Sequence, residues 1–182
     1  DEHLRRARGA IRPAYKHKLH LVSRWADELV HHPRILDAVE DILGPDILCW
    51  TTNLLVKEGG RASYVSWHQD SGYIDSECPH KPYLSLWCAL DDVDEQNGTV
   101  YVLPFSRAGV TSRIDHATQA GTNDLVGYSG NDAGEAVIIS AGSMVAFSSA
   151  TFHRSGANTT NEPRRVFLAQ YSVEPIIDPR ND

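Results

Sequence analysis

The sequence predicts a mainly β protein with helices at the start of the chain. Two observations lead to this prediction. Apolar residues recur at helical spacing before Pro45, and after it come short runs rich in β-branched and aromatic residues. Gly, Pro, Asn and Asp separate these runs, as is typical of an all-β sandwich or barrel. With 182 residues, 41% of them hydrophobic, we expect residues 1–182 to form a single domain.

The helical part covers residues 19–43, where apolar side chains recur every three or four positions. Pro33 divides this run into two predicted helices, because proline inside a helix removes a hydrogen bond and clashes with the preceding turn. Gly44 and Pro45 end the helical part. Since the chain starts at Asp1 and enters this pattern early, we expect part of the N-terminal region of the domain to be missing.

The remainder of the chain contains predicted strands and one long connection. The strands are 47–56, 63–68, 83–90, 99–103, 136–139, 143–147 and 165–173. Asn97 and Gly98 accept a positive φ and predict a tight hairpin turn between two of these strands. Residues 106–135 are polar, glycine-rich and too long for an ordinary connection. They form either a lid over a binding site or a disordered insertion on the surface.

Charge and composition exclude several classes of protein. A net charge of -7 disfavours a nucleic-acid partner, which usually requires a basic patch. We expect no membrane span and no secretory signal, because the chain has no long apolar run and its start is polar. Three cysteines without CxxC spacing disfavour disulfides and a thiolate zinc site. We therefore expect a cytoplasmic protein that acts on a small molecule, whereas the sequence indicates no oligomeric state.

A possible metal site begins with the WHQD segment at 67–70, which ends a predicted strand. Residues two apart on a strand project from the same face, so His68 and Asp70 are placed to bind one ion. Two histidines and one carboxylate form the facial triad of non-haem Fe(II) oxygenases. His153 is the strongest candidate for the second histidine, because it follows a predicted strand and opens a segment with turn composition. Taken alone, an H-x-D pair also arises by chance as a surface hydrogen bond.

Two arginines, Arg164 and Arg165, stand at the start of the last predicted strand. A buried arginine at this place would bind a carboxylate through two hydrogen bonds, which suits the far end of a dicarboxylic cosubstrate. Alternatively, both arginines lie in solvent at a strand edge. The alternation of the strand separates the two side chains, but it does not tell which of them points inward.

Four segments in this order resemble the phytanoyl-CoA dioxygenase family of Fe(II)- and 2-oxoglutarate-dependent oxygenases. They are WHQD at 67–70, SLWCALDD at 85–92, NGTVYVLPFS at 97–106 and HRSGANTTNEPRR at 153–165. The resemblance covers about residues 52–173 and implies a double-stranded β-helix, which is a cupin-like jelly roll. The sequence departs from the family pattern at Arg107, where family members usually carry a histidine that is not a metal ligand.

The resemblance also implies roles for individual residues. It makes His68, Asp70 and His153 the iron ligands, and it selects Arg164 as the partner of the distal 2-oxoglutarate carboxylate. Ser155 matches a residue that adds a hydroxyl contact to the same carboxylate. Trp87 matches an aromatic wall of the cosubstrate pocket, although a tryptophan in an apolar strand also serves as ordinary core. Further candidates for substrate contact, each of which also has a structural or solvent-exposed interpretation, are Lys57, Tyr73 and His116.

The implied activity is an Fe(II)- and 2-oxoglutarate-dependent dioxygenase that hydroxylates or otherwise oxidises a small molecule with O2. Succinate and CO2 would be released, with ascorbate as a possible reductant. Asp70 disfavours halogenation, because related iron halogenases carry a small residue at this position. Two alternatives stay open, namely a metal-binding cupin without 2-oxoglutarate turnover and a protein-modifying oxygenase.

Overall fold

A computed structural model describes residues 16–61, 63–74, 76–122 and 124–177. The expectation of a missing N-terminal region concerns the chain before residue 16 and lies outside the described residues. A short 3-10 turn (Leu19–Leu21) precedes the helices α1 (Arg24–Val30) and α2 (Pro33–Leu43), and a third helix, α3 (Phe105–Ala108), follows later. The strands are β1 (Leu48–Lys57), β2 (Val65–His68), β3 (Leu84–Ala89), β4 (Val100–Leu103), β5 (Ala117–Thr118), β6 (Leu125–Val126), β7 (Glu135–Ala136), β8 (Met144–Ser148), β9 (Phe152–Ser155) and β10 (Arg164–Ser172).

The strands form two four-stranded antiparallel sheets and a small hairpin. The first sheet has the order β1-β10-β3-β8 and the second the order β2-β9-β4-β7, while β5 pairs with β6. The predicted mainly β jelly roll with N-terminal helices is confirmed. Among the described residues, no helix combines the length and the apolar character needed to cross a bilayer.

The side chains of β10 alternate between two apolar clusters. Phe167 and Tyr171 face the helices, where the Trp25 and Phe167 rings lie 5.3 Å apart and the Tyr171 hydroxyl donates to the Val30 carbonyl. Val166 and Leu168 face the second sheet. The second cluster fills the space between the two sheets with Trp87, Ala89, Val93, Val100, Phe147, Val166 and Leu168. The even-numbered residues of β10 therefore point into the jelly roll.

The helix prediction is confirmed, whereas the hairpin prediction at Asn97 and Gly98 is wrong. Pro33 is the first residue of α2, where its missing N–H has no intrahelical partner to lose. Gly98 has the expected positive φ of 84°, but β3 and β4 belong to different sheets and do not pair. The Asp94 side chain accepts hydrogen bonds from the backbone of Gln96 and Asn97, and this capped turn carries the chain from one sheet to the other.

Two strand predictions in the second sheet need correction. The predicted strand 136–139 is reduced to β7, which ends at Ala136. The segment after His153, predicted to be a turn, instead belongs to β9 (Phe152–Ser155). β9 pairs with both β2 and β4, so a strand of unremarkable local composition is held by partners far away in the sequence.

Candidate metal centre

Three side chains converge inside the jelly roll, two from the neighbouring strands β2 and β9 and one from the turn that follows β2. His68 ends β2 and lies directly opposite His153 of β9, so their ring centroids are 4.2 Å apart. Asp70 opens the 3-10 turn after β2, and its Oδ1 atom lies 3.4 Å from Nε2 of His153 and 3.8 Å from Nε2 of His68. One ligand atom from each residue lies within 4.8 Å of the others, an arrangement that occurs once among the described residues.

Backbone carbonyls fix the orientation of both imidazoles. Nδ1 of His68 lies 2.8 Å from the Ser66 carbonyl, and Nδ1 of His153 lies 3.0 Å from the Thr151 carbonyl. Because a carbonyl oxygen only accepts, both Nδ1 atoms carry the proton in these contacts. The Nε2 atoms are left as lone-pair donors, which is the usual arrangement of histidines that bind a metal.

Two residues of the first sheet hold the Asp70 carboxylate. Its Oδ2 atom accepts hydrogen bonds from the Ser85 hydroxyl at 2.6 Å and from Nε2 of Gln170 at 2.9 Å. Gln170 also donates to the Ser85 hydroxyl at 3.0 Å. The Asp70 side chain is only 13% exposed, and these contacts leave Oδ1 directed at the two histidines.

Burial and the neighbouring charges shift the pKa values of all three residues. Burial and the neighbouring His153 lower the pKa of His68 to about 4, although Asp70 opposes the shift. Burial raises the pKa of Asp70, but the two histidines and the Ser85 hydroxyl outweigh it and hold that pKa below its usual value. Burial lowers the pKa of His153, whereas Asp70 raises it by more. A carboxylate beside imidazole nitrogens is a donor set suited to a divalent transition metal.

A cavity of about 450 Å³ extends from these three residues along the inner faces of both sheets. Such a volume suits a small-molecule ligand. Its lining includes every site residue predicted from the sequence, namely His68, Asp70, Trp87, His153, Ser155 and Arg164. Among the three further candidates, Lys57 is the one that borders it.

Arg164 projects into the cavity with most of its hydrogen-bonding capacity unused. Its side chain is buried, with 2% exposure, and Nη2 donates to the Gly98 carbonyl at 2.8 Å. Nε and Nη1 have no partner among the described residues, and the guanidinium lies 5.2 Å from the centre of the Trp87 ring. Burial lowers the pKa of Arg164 to about 10, although Asp91 opposes this shift.

Arg165 points to the opposite side of the sheet. Its side chain is 54% exposed and forms a paired contact with the Asp91 carboxylate, through Nε at 2.9 Å and Nη2 at 2.6 Å. The strand alternation that the sequence left open therefore places Arg164 inside the jelly roll and Arg165 outside it. A guanidinium with unpaired buried donors is suited to bind a carboxylate.

Comparisons with known proteins show the family to which this chain belongs. A sequence profile of the phytanoyl-CoA dioxygenase (PhyH) family matches residues 3–166. The chain belongs to the PhyH family. It is 28% identical over 179 residues to ectoine dioxygenase of Bordetella parapertussis (strain 12822), and the match covers 88% of this chain and 58% of that protein. The chain spans about half the length of the curated PhyH-related proteins it matches.

Two solved structures share the fold of this chain. The apo form of ThoJ, a non-heme monooxygenase, has a TM-score of 0.76 at 32% identity, and the match covers 94% of this chain and 65% of that one. SnoN, a non-heme alpha-ketoglutarate-dependent epimerase from nogalamycin biosynthesis, has a TM-score of 0.67 at 25% identity. The match covers 86% of this chain and 61% of SnoN.

Sequence reasoning did not assign a role to Gln69, the residue between the first two candidate ligands of this PhyH domain. Its buried side chain donates to the carbonyls of Ala150 (2.7 Å) and Ser112 (2.9 Å) and accepts from the Ile114 amide (2.9 Å). The backbone N–H of Gln69 donates to Nε2 of His116 at 2.9 Å. The predicted substrate contact His116 is therefore used to attach the long connection to β2. That the connection acts as a lid stays a prediction.

Replacing Gln69 with leucine is expected to lower the free energy of unfolding of the metal-free protein by about 2–4 kcal/mol. The leucine would fill most of the volume but leave two carbonyls and one amide without their partner. Urea denaturation measures the change. The matched control is Gln96→Leu at an exposed glutamine, which we expect to change stability by less than about 0.5 kcal/mol. Equal losses in the two variants would contradict this role of Gln69.

Proposed function

We propose that this chain carries the active site of an Fe(II)- and 2-oxoglutarate-dependent dioxygenase that hydroxylates a small-molecule substrate. The observation that carries the proposal is one cavity bordered by the His68, Asp70 and His153 cluster and by the unpaired donors of Arg164. Membership of the PhyH family and the likeness to the alpha-ketoglutarate-dependent SnoN support it.

The residues present fit both groups that this activity requires. Two imidazole nitrogens and one carboxylate oxygen, each held in place by a hydrogen bond on its other side, suit Fe(II). Arg164 suits the distal carboxylate of 2-oxoglutarate, because it supplies buried donors and a positive charge. Trp87 and Ser155 border the same cavity, where they would contact the cosubstrate.

In this mechanism the protein binds, orients and shields the reacting molecules. When bound, the iron would supply the oxygen chemistry, in which one oxygen atom of O2 enters succinate as 2-oxoglutarate loses CO2 and the other enters the hydroxyl group of the product. Arg164 would fix one end of the cosubstrate, and the cluster at Asp70 would fix the other. Val100, Phe147 and Leu168 form apolar cavity walls that exclude water from the site. The cavity volume supports a small molecule as the substrate.

The proposal is tested by measuring succinate formation from 2-oxoglutarate in the purified chain supplied with Fe(II) and ascorbate. We expect succinate to form slowly even without the natural substrate, and to stop when a chelator removes the metal. Anaerobic calorimetry of 2-oxoglutarate binding to the iron-loaded protein gives a second measurement that needs no turnover. The absence of both metal-dependent succinate and 2-oxoglutarate binding would favour a metal-binding cupin without 2-oxoglutarate turnover.

The contacts of Asp70 give a separate prediction about metal affinity. Ser85→Ala is expected to weaken Fe(II) binding by about 10- to 100-fold, because it removes a hydrogen bond that orients the ligand carboxylate. Competition with a metal-sensitive dye measures the dissociation constant. Ser140→Ala, at an exposed serine, is the control and should bind metal like the wild type. An unchanged dissociation constant in Ser85→Ala would show that Gln170 alone positions Asp70.

A further inference from the structure

Part of the long connection lies against the chain that carries two of the three candidate ligands. The bracing segment, residues 112–119, contacts the ligand segment, residues 66–74, which includes His68 and Asp70. Among the described residues, none of those that line the cavity comes from residues 106–135. The connection therefore reaches the metal site through the ligand segment and not through the cavity.

Side chains join the two segments at both ends of the ligand segment. Near its start, the Ser66 hydroxyl donates to Oε1 of Gln119 at 2.9 Å. Near its end, Nε of Arg113 donates to the Ser71 carbonyl at 3.0 Å, and Nη2 donates to the Ile74 carbonyl at 3.4 Å. Both candidate ligands of the segment lie between these hydrogen bonds.

The imidazole of His116 joins the middle of the two segments. Its Nδ1 atom lies 2.9 Å from the Ile114 carbonyl, and its Nε2 atom lies 2.9 Å from the backbone nitrogen of Gln69. Because a carbonyl only accepts, Nδ1 carries the proton and Nε2 accepts from the Gln69 N–H. A Cβ atom added at Gly72 would lie 2.7 Å from the imidazole. The ring therefore packs closely against the turn that Asp70 opens.

The turn at Asp70 needs contacts of this kind, because it lies outside the sheet. β2 is an edge strand that ends at His68, where it pairs with His153 of β9. Asp70 follows in a 3-10 turn without a strand partner. Apart from the bracing segment, the backbone of this turn is tethered at Ser71, whose N–H and hydroxyl both donate to the Ser149 carbonyl. Strand pairing thus fixes the two histidines, whereas tethers fix the carboxylate.

We propose that Arg113 and His116 are positioning residues of the metal site, which hold the turn of Asp70 in the arrangement that binds the metal. The inference rests on the metal site of the proposed function, but not on the cosubstrate. Ligands that are already in place bind an ion more tightly, because less conformational freedom is lost on binding. Loss of these contacts should therefore weaken metal binding although neither side chain touches the metal.

The first test compares two arginines of the long connection by anaerobic Fe(II) titration of the full chain in competition with a metal-sensitive dye. Arg113→Met is expected to raise the dissociation constant of Fe(II) by about 10-fold, because two carbonyls of the ligand segment lose their donor. Arg107→Met is the matched control, since Arg107 pairs with Asp132 and Glu135. Its dissociation constant should stay within about twofold of the wild type.

The second test uses two substitutions at His116. His116→Leu removes the acceptor of the Gln69 N–H and should also raise the dissociation constant of Fe(II) by about 10-fold. His116→Gln offers an amide oxygen to the same N–H and should recover most of the affinity. Urea denaturation verifies that each variant is folded under the assay conditions. Should Arg113→Met not fold, the pair of variants at His116 decides the question.

The absorption spectrum of bound Co(II) separates positioning from a merely structural role. At saturating Co(II), we expect the visible bands of Arg113→Met to differ from those of the wild type, because the position of Asp70 relative to the two histidines changes. The bands of Arg107→Met should match the wild type. A residue that contributed only to stability would leave the spectrum of the saturated site unchanged.

Each outcome distinguishes this inference from the proposed function. Wild-type Fe(II) affinity in both Arg113→Met and His116→Leu would overturn the inference and leave the dioxygenase proposal intact. Equal weakening in Arg107→Met and Arg113→Met would also overturn it, because the connection would then matter only as a folded unit. Unchanged Co(II) bands in Arg113→Met would do the same. Failure of the wild-type chain to bind Fe(II) would instead overturn the proposed function.

Discussion

Asp70→Ala is expected to abolish 2-oxoglutarate turnover, with a loss of at least about 10³-fold in the rate of succinate formation. This corresponds to about 4 kcal/mol of transition-state stabilisation. The carboxylate is the only anionic member of the cluster, and its Oδ1 atom lies 3.4 Å from Nε2 of His153 and 3.8 Å from Nε2 of His68. Without this carboxylate, His68 and His153 would offer Fe(II) two neutral nitrogen atoms, with one coordinating atom and one negative charge fewer.

Metal content and turnover of Asp70→Ala should be measured together, since a weaker metal site lowers both. Asp41→Ala is the matched control, because Asp41 is an exposed acidic residue on α2. The control should retain wild-type turnover and metal content. Retention of more than about one tenth of the turnover in Asp70→Ala would exclude Asp70 as a ligand.

Arg164→Met is expected to raise the dissociation constant of 2-oxoglutarate by at least about 100-fold. Two charge-assisted hydrogen bonds from a buried guanidinium contribute about 3–6 kcal/mol to the binding of a carboxylate, and methionine offers none. The free energy of unfolding without cosubstrate should change by less than about 1 kcal/mol. Removal of a buried, largely unpaired charge offsets the lost bond to Gly98.

The neighbouring arginine supplies the control for this prediction. Arg165→Met removes the same charge from the outer side of β10, where Arg165 is paired with Asp91. It should leave the affinity for 2-oxoglutarate within about twofold of the wild type, as measured by anaerobic calorimetry. Equal losses in both variants would mean that net charge, and not the position of Arg164 in the cavity, governs binding.

Most of the fold was predictable from local patterns. The helices α1 and α2 follow from apolar spacing and from Pro33, and most long strands follow from runs of β-branched and aromatic residues. The failures were β9, the extent of β7 and the hairpin expected at Gly98. β9 has no strong strand propensity and is held by pairing with β2 and β4. Gly98 has the predicted positive φ and Asn97 does not, and whether two strands pair is not a local property.

The candidate site was also predictable to a large extent. The H-x-D spacing placed His68 and Asp70 on one side of the chain, and the family resemblance selected His153 and Arg164. All four border one cavity in the structure. The sequence left Arg164 and Arg165 undecided on physical grounds, because strand parity separates them without defining an interior. The packing of Phe167 against the helices supplies that definition.

The sequence by itself predicted the fold class and the candidate ligands, and the family resemblance selected Arg164 as the candidate anion-binding residue, because each depends on spacing within a short segment or on a motif. Only the tertiary structure placed His153 opposite His68, attached Gln69 to the long connection and set Lys57 beside Arg164. These contacts join residues far apart in the chain. Their register is fixed by which faces of both sheets are buried, and burial is a property of the assembled fold.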